Sequence, residues 1–213
     1  MLPPLQAAAI LLPILITQDM ISVWVYRHRW SGRILKATLP GAMLGIALGW
    51  ALAAHVSDAA VRLAIGLIGT GFVLHAWFGR RLAEAARPSA AGGLFWGAVS
   101  GFVSMLSHAG GPPFSVHVLP QKLDKLTLVG TTTIFFAVVN AVKLVPYGAL
   151  GQFSTENIVA SAVLFPLAVA SNFLGIWLVR RTPTELFYKI AYLLVLLISL
   201  ELIRSGVMGI VGA

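Results

Sequence analysis

The chain has 213 residues, 58% of them hydrophobic and only 10% charged, with a formal net charge of +8 and a mean hydropathy of +0.89. Soluble domains carry about a quarter charged residues, so a water-soluble fold of this size could not hide so much apolar surface. The basic residues punctuate apolar runs instead of forming a patch, which excludes nucleic acid as a partner and points to membrane topology, while the absence of cysteine excludes disulfides and Cys-ligated metal.

The first apolar run, residues 5–26, is long enough to cross a hydrocarbon core of about 30 Å at about 1.5 Å per residue. It is not a signal peptide, because Met1-Leu2-Pro3-Pro4 offers no basic region and Tyr26-Arg27-His28-Arg29 is a stop-transfer flank. Asp19 lies well inside this run, among Thr17, Gln18 and Ser22. It is a candidate carrier of a coupling proton or, equally, half of a structural ion pair. Runs 38–54 and 59–78 follow. In the former, Gly41, Gly45 and Gly49 recur on one helix face, a pattern that serves close packing within the chain or between copies in a homo-oligomer.

The loops around these runs differ sharply in charge. Loop 27–36 holds Arg27, Arg29, Arg33 and Lys36, and loop 79–91 holds Arg80, Arg81 and Arg87, whereas loop 55–58 has no Lys or Arg. The positive-inside rule makes the basic loops cytoplasmic.

Residues 92–120 are the exception to simple crossing. As one span they would leave Lys122 and Lys125 outside, the bare loop 149–156 inside, and Arg180-Arg181 outside, all against the rule. A helix over 92–106, a break at His108-Ala109-Gly110-Gly111-Pro112-Pro113 and a return over 112–120 put each of these loops on the expected side. Arg62 and Arg204 remain on the outer side. Runs 128–148, 157–179 and 185–203 complete the chain. Because lipid offers no backbone partners, these runs must be helices. The expected fold is an all-α polytopic membrane protein of about seven membrane segments, one of them a re-entrant hairpin, forming a single domain.

The break carries the chemistry. Glycine permits a turn and a close backbone approach, and Pro112 suits the first turn of a restarted helix. Free N–H groups there would favour a small oxyanion; the competing reading is a tight turn between packed helices. His108 opens the break and can donate to an anion, carry a proton, or simply satisfy a helix-end carbonyl. Lys143 lies inside run 128–148, one turn beyond Asn140 on the same face. An intramembrane lysine is costly unless paired or in a wet cavity; the alternative is a side chain that snorkels to the outer interface. Asn140 can contact substrate or link helices, and Thr131 can line a path or bond back to a carbonyl. No His/Asp/Glu group has metal spacing, so no cofactor is expected.

A repeat is also present. A shift of 126 lays Pro40, Ala42, Leu48, Gly49 and Leu52 on Pro166, Ala168, Leu174, Gly175 and Leu178, and a shift of 121 lays Asp19 on Asn140 and Tyr26 on Tyr147. The loop charges invert between copies, so the repeats are expected to point oppositely across the membrane, as in secondary transporters. The expected division is an incomplete first repeat at 1–78, a cytoplasmic linker at 79–91 and a second repeat at 92–213, the partner of the 92–120 hairpin falling ahead of Met1.

The stretch GFVSMLSHAGGPPFSVHVLPQKLDKLTLVGTTTIFFAVVNAVKLVPYGALG resembles the second-half signature of the TauE/SafE sulfite-exporter family, and LQAAAILLPILITQDMISVWVYRHRW with LPGAMLGIALGWALA resembles helices of that family's first half. The resemblance implies a multi-pass transporter of the bacterial inner membrane that exports small sulfur-containing anions (sulfite, sulfonate or other organosulfur compounds) by alternating access. Such a protein is not an enzyme and has membrane lipid and a small anion as partners, with a coupling proton as a further one. The alternative is a non-transporting paralogue or partner subunit. An intramembrane hydrolase built on Ser100, Ser104, Ser107 and His108 is disfavoured, since Gly97-Ala98-Val99-Ser100-Gly101 misses the nucleophile spacing and no second helix supplies a base. The residues expected at the substrate site are Asp19, His108, Gly110, Gly111, Pro112, Thr131, Asn140 and Lys143.

Overall fold

The computed structural model describes residues 4–53, 55, 57–78, 89–151 and 153–211. All regular structure among them is helical: α1 (Pro4–Tyr26), α2 (Gly32–Leu52), α3 (Asp58–Phe78), α4 (Ala90–Ser107), α5 (Gly111–Val118), a 3-10 turn (Leu119–Gln121), α6 (Lys125–Ala149), α7 (Thr155–Arg181) and α8 (Thr184–Val211). Six of these are long and apolar enough to cross a membrane, and α1 adds a shorter apolar stretch over Ile10–Tyr26. Several starts are fixed by side-chain caps. Asp124 accepts from the N–H groups of Leu126 and Thr127, Ser89 from Gly92, and Ser154 from Asn157, each satisfying donors that a helix leaves free at its first turn.

Two expected boundaries need correction. Helix α2 begins at Gly32 rather than 38, so Arg33 and Lys36 belong to its first turns, and α8 continues to Val211 rather than 203. Hydropathy marks the part of a helix matched to lipid, whereas the backbone ladder continues into the interface. Arg80, Arg81 and Arg87 of the expected linker lie outside the described residues.

The hairpin is present. Helix α5 runs back along α4: a Cβ placed on Gly110 would meet Ser100 and Ser104, and one on Gly92 would lie 3.8 Å from the His117 ring. The chain therefore starts α6 on the side where α4 began. At that end Lys125 Nζ donates to the carbonyls of Arg180 and Thr182, and the Arg29 carbonyl lies against Gly130. The basic segments 27–36, 122–125 and 180–181 thus gather at one end of the molecule.

Packing is pairwise. Helix α2 lies on α4, α3 on α8, and α1 on both α6 and α7, while α2 also touches α6 and α3 touches α5. Gly41 and Gly45 face the carbonyls of Leu94 and Ala98, and Gly97 and Gly101 face those of Thr38 and Ala42. Any side chain at these positions would force the two backbones apart, which is why small residues line such membrane interfaces. The glycine face of α2 is therefore occupied within the chain. Helix α7 is different: only Asn157 and Ser161 are buried on it.

Candidate transport site at the helix break

The site grows from the way α4 ends. The αL residue that closes this helix is His108 (φ 53), not a glycine, and its N–H returns to Ser104 O. Gly110 (φ −68) instead supplies closeness, its carbonyl accepting from Ser100 Oγ at 2.8 Å. Pro112 occupies the first turn of α5 and is buried, while Gly111 has open space where a Cβ would stand. A left-handed backbone at a non-glycine residue costs about 1–2 kcal/mol, so something must hold His108 in place.

Lys143 does so. It is fully buried, with 0% exposure. Its Nζ donates to Ser104 O at 3.1 Å and Ser104 Oγ at 3.0 Å, and lies 2.7 Å from His108 Nδ1. An ammonium has three donors, and here each has a partner at the break. Donation to Nδ1 leaves the imidazole proton on Nε2. Lys143 therefore does not snorkel; it ties α6 to the broken end of α4. Tyr147, one turn on, donates to Met105 O at 3.0 Å and extends the same clamp.

Asn140 Nδ2 donates to Asp19 Oδ2 at 2.7 Å. Asn140 stands about 22 Å along α6 from Lys125 and about 14 Å from Ala149, so this contact lies in the interior of the helix, away from both ends. Beside it, Gln18 Nε2 donates to Ala168 O, Asn172 Nδ2 donates to Gln18 O, and Ser22 Oγ donates to Asn172 Oδ1. A polar layer thus crosses α7, α1 and α6 and continues to the break in α4.

Asp19 also looks into a cavity of about 340 Å³ between α1, α5, α6 and α8. Its polar lining is Asp19, Ser115, Thr132 and Thr133, and its apolar walls include Phe114, Phe136 and Phe187. Thr131 points elsewhere: it is buried, donates to Thr127 O and accepts from Ser31 N, pinning the start of α2. So the structure brings Asp19 with Asn140, and Lys143 with His108 and Ser104. Thr131 joins neither group, and of all the expected site residues only Asp19 lines this cavity. Ser115 and the phenylalanines were not legible as lining, since they come from three helices whose relative rotation no single periodicity sets.

Among curated proteins and solved structures, none matches the chain. The family model of the sulfite exporter TauE/SafE matches residues 1–202. With a break clamped by a buried lysine, a polar layer between apolar helices and this match over nearly its full length, the chain belongs to the TauE/SafE sulfite exporter family, a family of membrane transporters.

Proposed function

We propose that the chain exports a small sulfur oxyanion or organosulfonate across the bacterial inner membrane by alternating access, with the Asp19 cavity as its substrate chamber and a proton as the coupled ion. The carrying observation is the 340 Å³ cavity walled by Asp19 beside the helix break. A carboxylate and an oxyanion about 6 Å apart repel by roughly 3 kcal/mol at an effective dielectric of 20. An anion therefore shares the chamber with Asp19 only when the carboxyl is protonated, which links anion and proton movement. Hydroxyls of Ser115 and Thr133 can donate to the anion's oxygens, whereas that of Thr132 is spent on Leu128 O, and Phe114, Phe136 and Phe187 suit an organic tail.

The two-repeat reading of 1–78 and 92–213 is proposed alongside it. Exchanging α1 with α6, α2 with α7 and α3 with α8 turns the α1–α7 contact into the α6–α2 contact and leaves the α1–α6 and α3–α8 contacts unchanged. Asp19 and Asn140, equivalent by the 121-residue shift, touch each other. Equivalent positions meet only on a symmetry axis, and an axis through the mid-membrane site is the geometry alternating access needs.

The test is flux of labelled sulfite and of a short alkylsulfonate in proteoliposomes with an imposed pH gradient. Accumulation that follows the proton gradient supports the proposal. Correctly folded protein that moves neither anion under any gradient would sink it.

A further inference from the structure

The clamp at the helix break joins two groups that can each carry a proton. Lys143 is fully buried, yet its three donors meet a carbonyl, a hydroxyl and an imidazole nitrogen, all uncharged acceptors. Among the described residues no acid lies within ion-pair distance of Nζ. A cation held between membrane helices without a counter-charge in contact is costly, and a methionine would fill the same volume without that cost. Packing alone does not account for the pair.

The contact has a fixed proton count. At 2.7 Å, one of Nζ and Nδ1 must accept from the other. With one positive charge on the pair this works either way, as ammonium to imidazole or as imidazolium to amine. Ser104 is satisfied in both cases, because an amine keeps two hydrogens. A further proton removes the last lone pair. Both nitrogens then present hydrogens and like charge to each other, and the contact is lost.

That contact restrains a strained turn. His108 sits at φ 53, in the region that favours glycine, although Gly110 stands two residues on. Such strain persists only where the surroundings impose it, and Nζ restrains the His108 side chain. The flanks are anchored separately. Tyr147 donates to Met105 O on the α4 side, and Ser100 Oγ donates to Gly110 O on the α5 side. Losing the Lys143–His108 contact therefore frees the turn between these anchors and leaves both helices in place.

We propose that Lys143 and His108 form a second proton-binding site, distinct from Asp19, and that loading it opens the turn at His108 and Ala109. The arriving proton forms one N–H bond on the pair and breaks the Nζ···Nδ1 contact; its departure restores that contact. The purpose of this step rests on the transport reading, since it makes movement of the break depend on a proton. Among the described residues few other titratable groups are near. Asp19 acts on Lys143 from α1, and the Tyr147 ring lies 6.2 Å from that of His108. Helix α2, packed on α4 and α6, has no ionisable residue from Leu39 to Leu52. On α3, Arg62 and His75 stand about two turns to either side of Gly69, which meets Pro112. His117 is at the far end of α5 beside Gly92. On α7, Glu156 is exposed at the start and Arg180 and Arg181 at the other end. On α8, Glu185 pairs with Lys189 and Glu201 with Arg204.

The experiment uses the full chain, which has no cysteine of its own, purified in neutral detergent with Ala109→Cys as reporter. Its maleimide labelling rate is divided by that of Glu156→Cys at the same pH, which removes the thiol's own pH dependence. From about pH 8 to about pH 5, the span in which an imidazole titrates, the ratio should rise about tenfold, as expected for losing one charge-assisted hydrogen bond. His108→Asn keeps an acceptor for Nζ and tolerates the left-handed backbone, so its ratio should stay low at both pH values. Lys143→Met should label fast at both. A flat ratio in the parent, or the same rise in His108→Asn or in Lys143→Met, would overturn the site. The rise should persist in His117→Asn; its disappearance there or in Asp19→Asn would place the proton elsewhere and overturn the assignment. Labelling needs no transported anion, so a failed flux assay leaves this result standing, and a flat ratio leaves the flux result standing.

Discussion

The clamp at the helix break makes a non-additive prediction. His108→Gly removes the imidazole that meets Lys143 Nζ at 2.7 Å and leaves a fully buried ammonium one acceptor short, at a cost of about 3 kcal/mol. Glycine also relieves the left-handed backbone at φ 53, returning about 1 kcal/mol, so the net loss is about 2 kcal/mol. Lys143→Met keeps the volume but removes the charge. It strands Ser104 Oγ and His108 Nδ1 at about 1 kcal/mol each, while recovering much of the several kcal/mol spent desolvating the ammonium. Its net effect is about 1 kcal/mol or less. The double variant has neither a stranded charge nor a stranded ring, so it should be no less stable than His108→Gly alone. Independent sites would add within about 0.5 kcal/mol; here the double variant escapes both the stranded charge, about 3 kcal/mol, and the stranded ring, about 1 kcal/mol, so the coupling should reach about 4 kcal/mol in the favourable direction. Unfolding in detergent by added dodecyl sulfate, followed by tryptophan fluorescence and far-ultraviolet circular dichroism, measures all four corners of the cycle. Additive losses, or a Lys143→Met variant less stable than His108→Gly, would refute the clamp.

Asp19→Asn should fold, because Asn140 can still donate to the new amide oxygen, but should lose at least tenfold of the accumulation driven by a pH gradient; flux with and without the gradient reads this, and an unchanged gradient dependence removes Asp19 from coupling. Gly45→Ala would push a methyl into the Ala98 carbonyl and should cost about 1–3 kcal/mol, while Gly175→Ala, with nothing within 4 Å, should leave the thermal midpoint nearly unchanged. Cysteines placed at Lys122 and at Glu156, both exposed, should react with an impermeant maleimide from opposite membrane faces, and labelling from the same face would remove the re-entrant hairpin.

Much of the architecture was legible because lipid leaves the backbone few choices. The loop charges alone separated a hairpin from a single crossing at 92–120, and α5 does run back along α4 with His117 beside Gly92. Site geometry was less legible. Lys143 and Asn140 share a helix face by spacing, but that spacing could not say that one meets His108 and the other Asp19, since their partners lie 35 and 121 residues away. Thr131 illustrates the opposite limit: its neighbours Thr132 and Thr133 line the cavity, whereas it turns to the Ser31 amide. A rotation of one residue on a helix, about 100°, decides between chamber and packing.

By itself, the sequence determined what depends on solvent and local backbone: helices wherever apolar runs must satisfy their own amides, which basic segments share one end, and a break where Gly110, Gly111 and Pro112 follow a helix end. Only the tertiary structure decided which residue of the break took the left-handed turn, that Lys143 has all three donors engaged there, that Asp19 faces a cavity, and that Thr131 turns to the Ser31 amide. Those outcomes rest on how helices rotate and approach one another. That is set by close packing such as the glycine contacts of α2 and α4, which act between segments far apart in the chain.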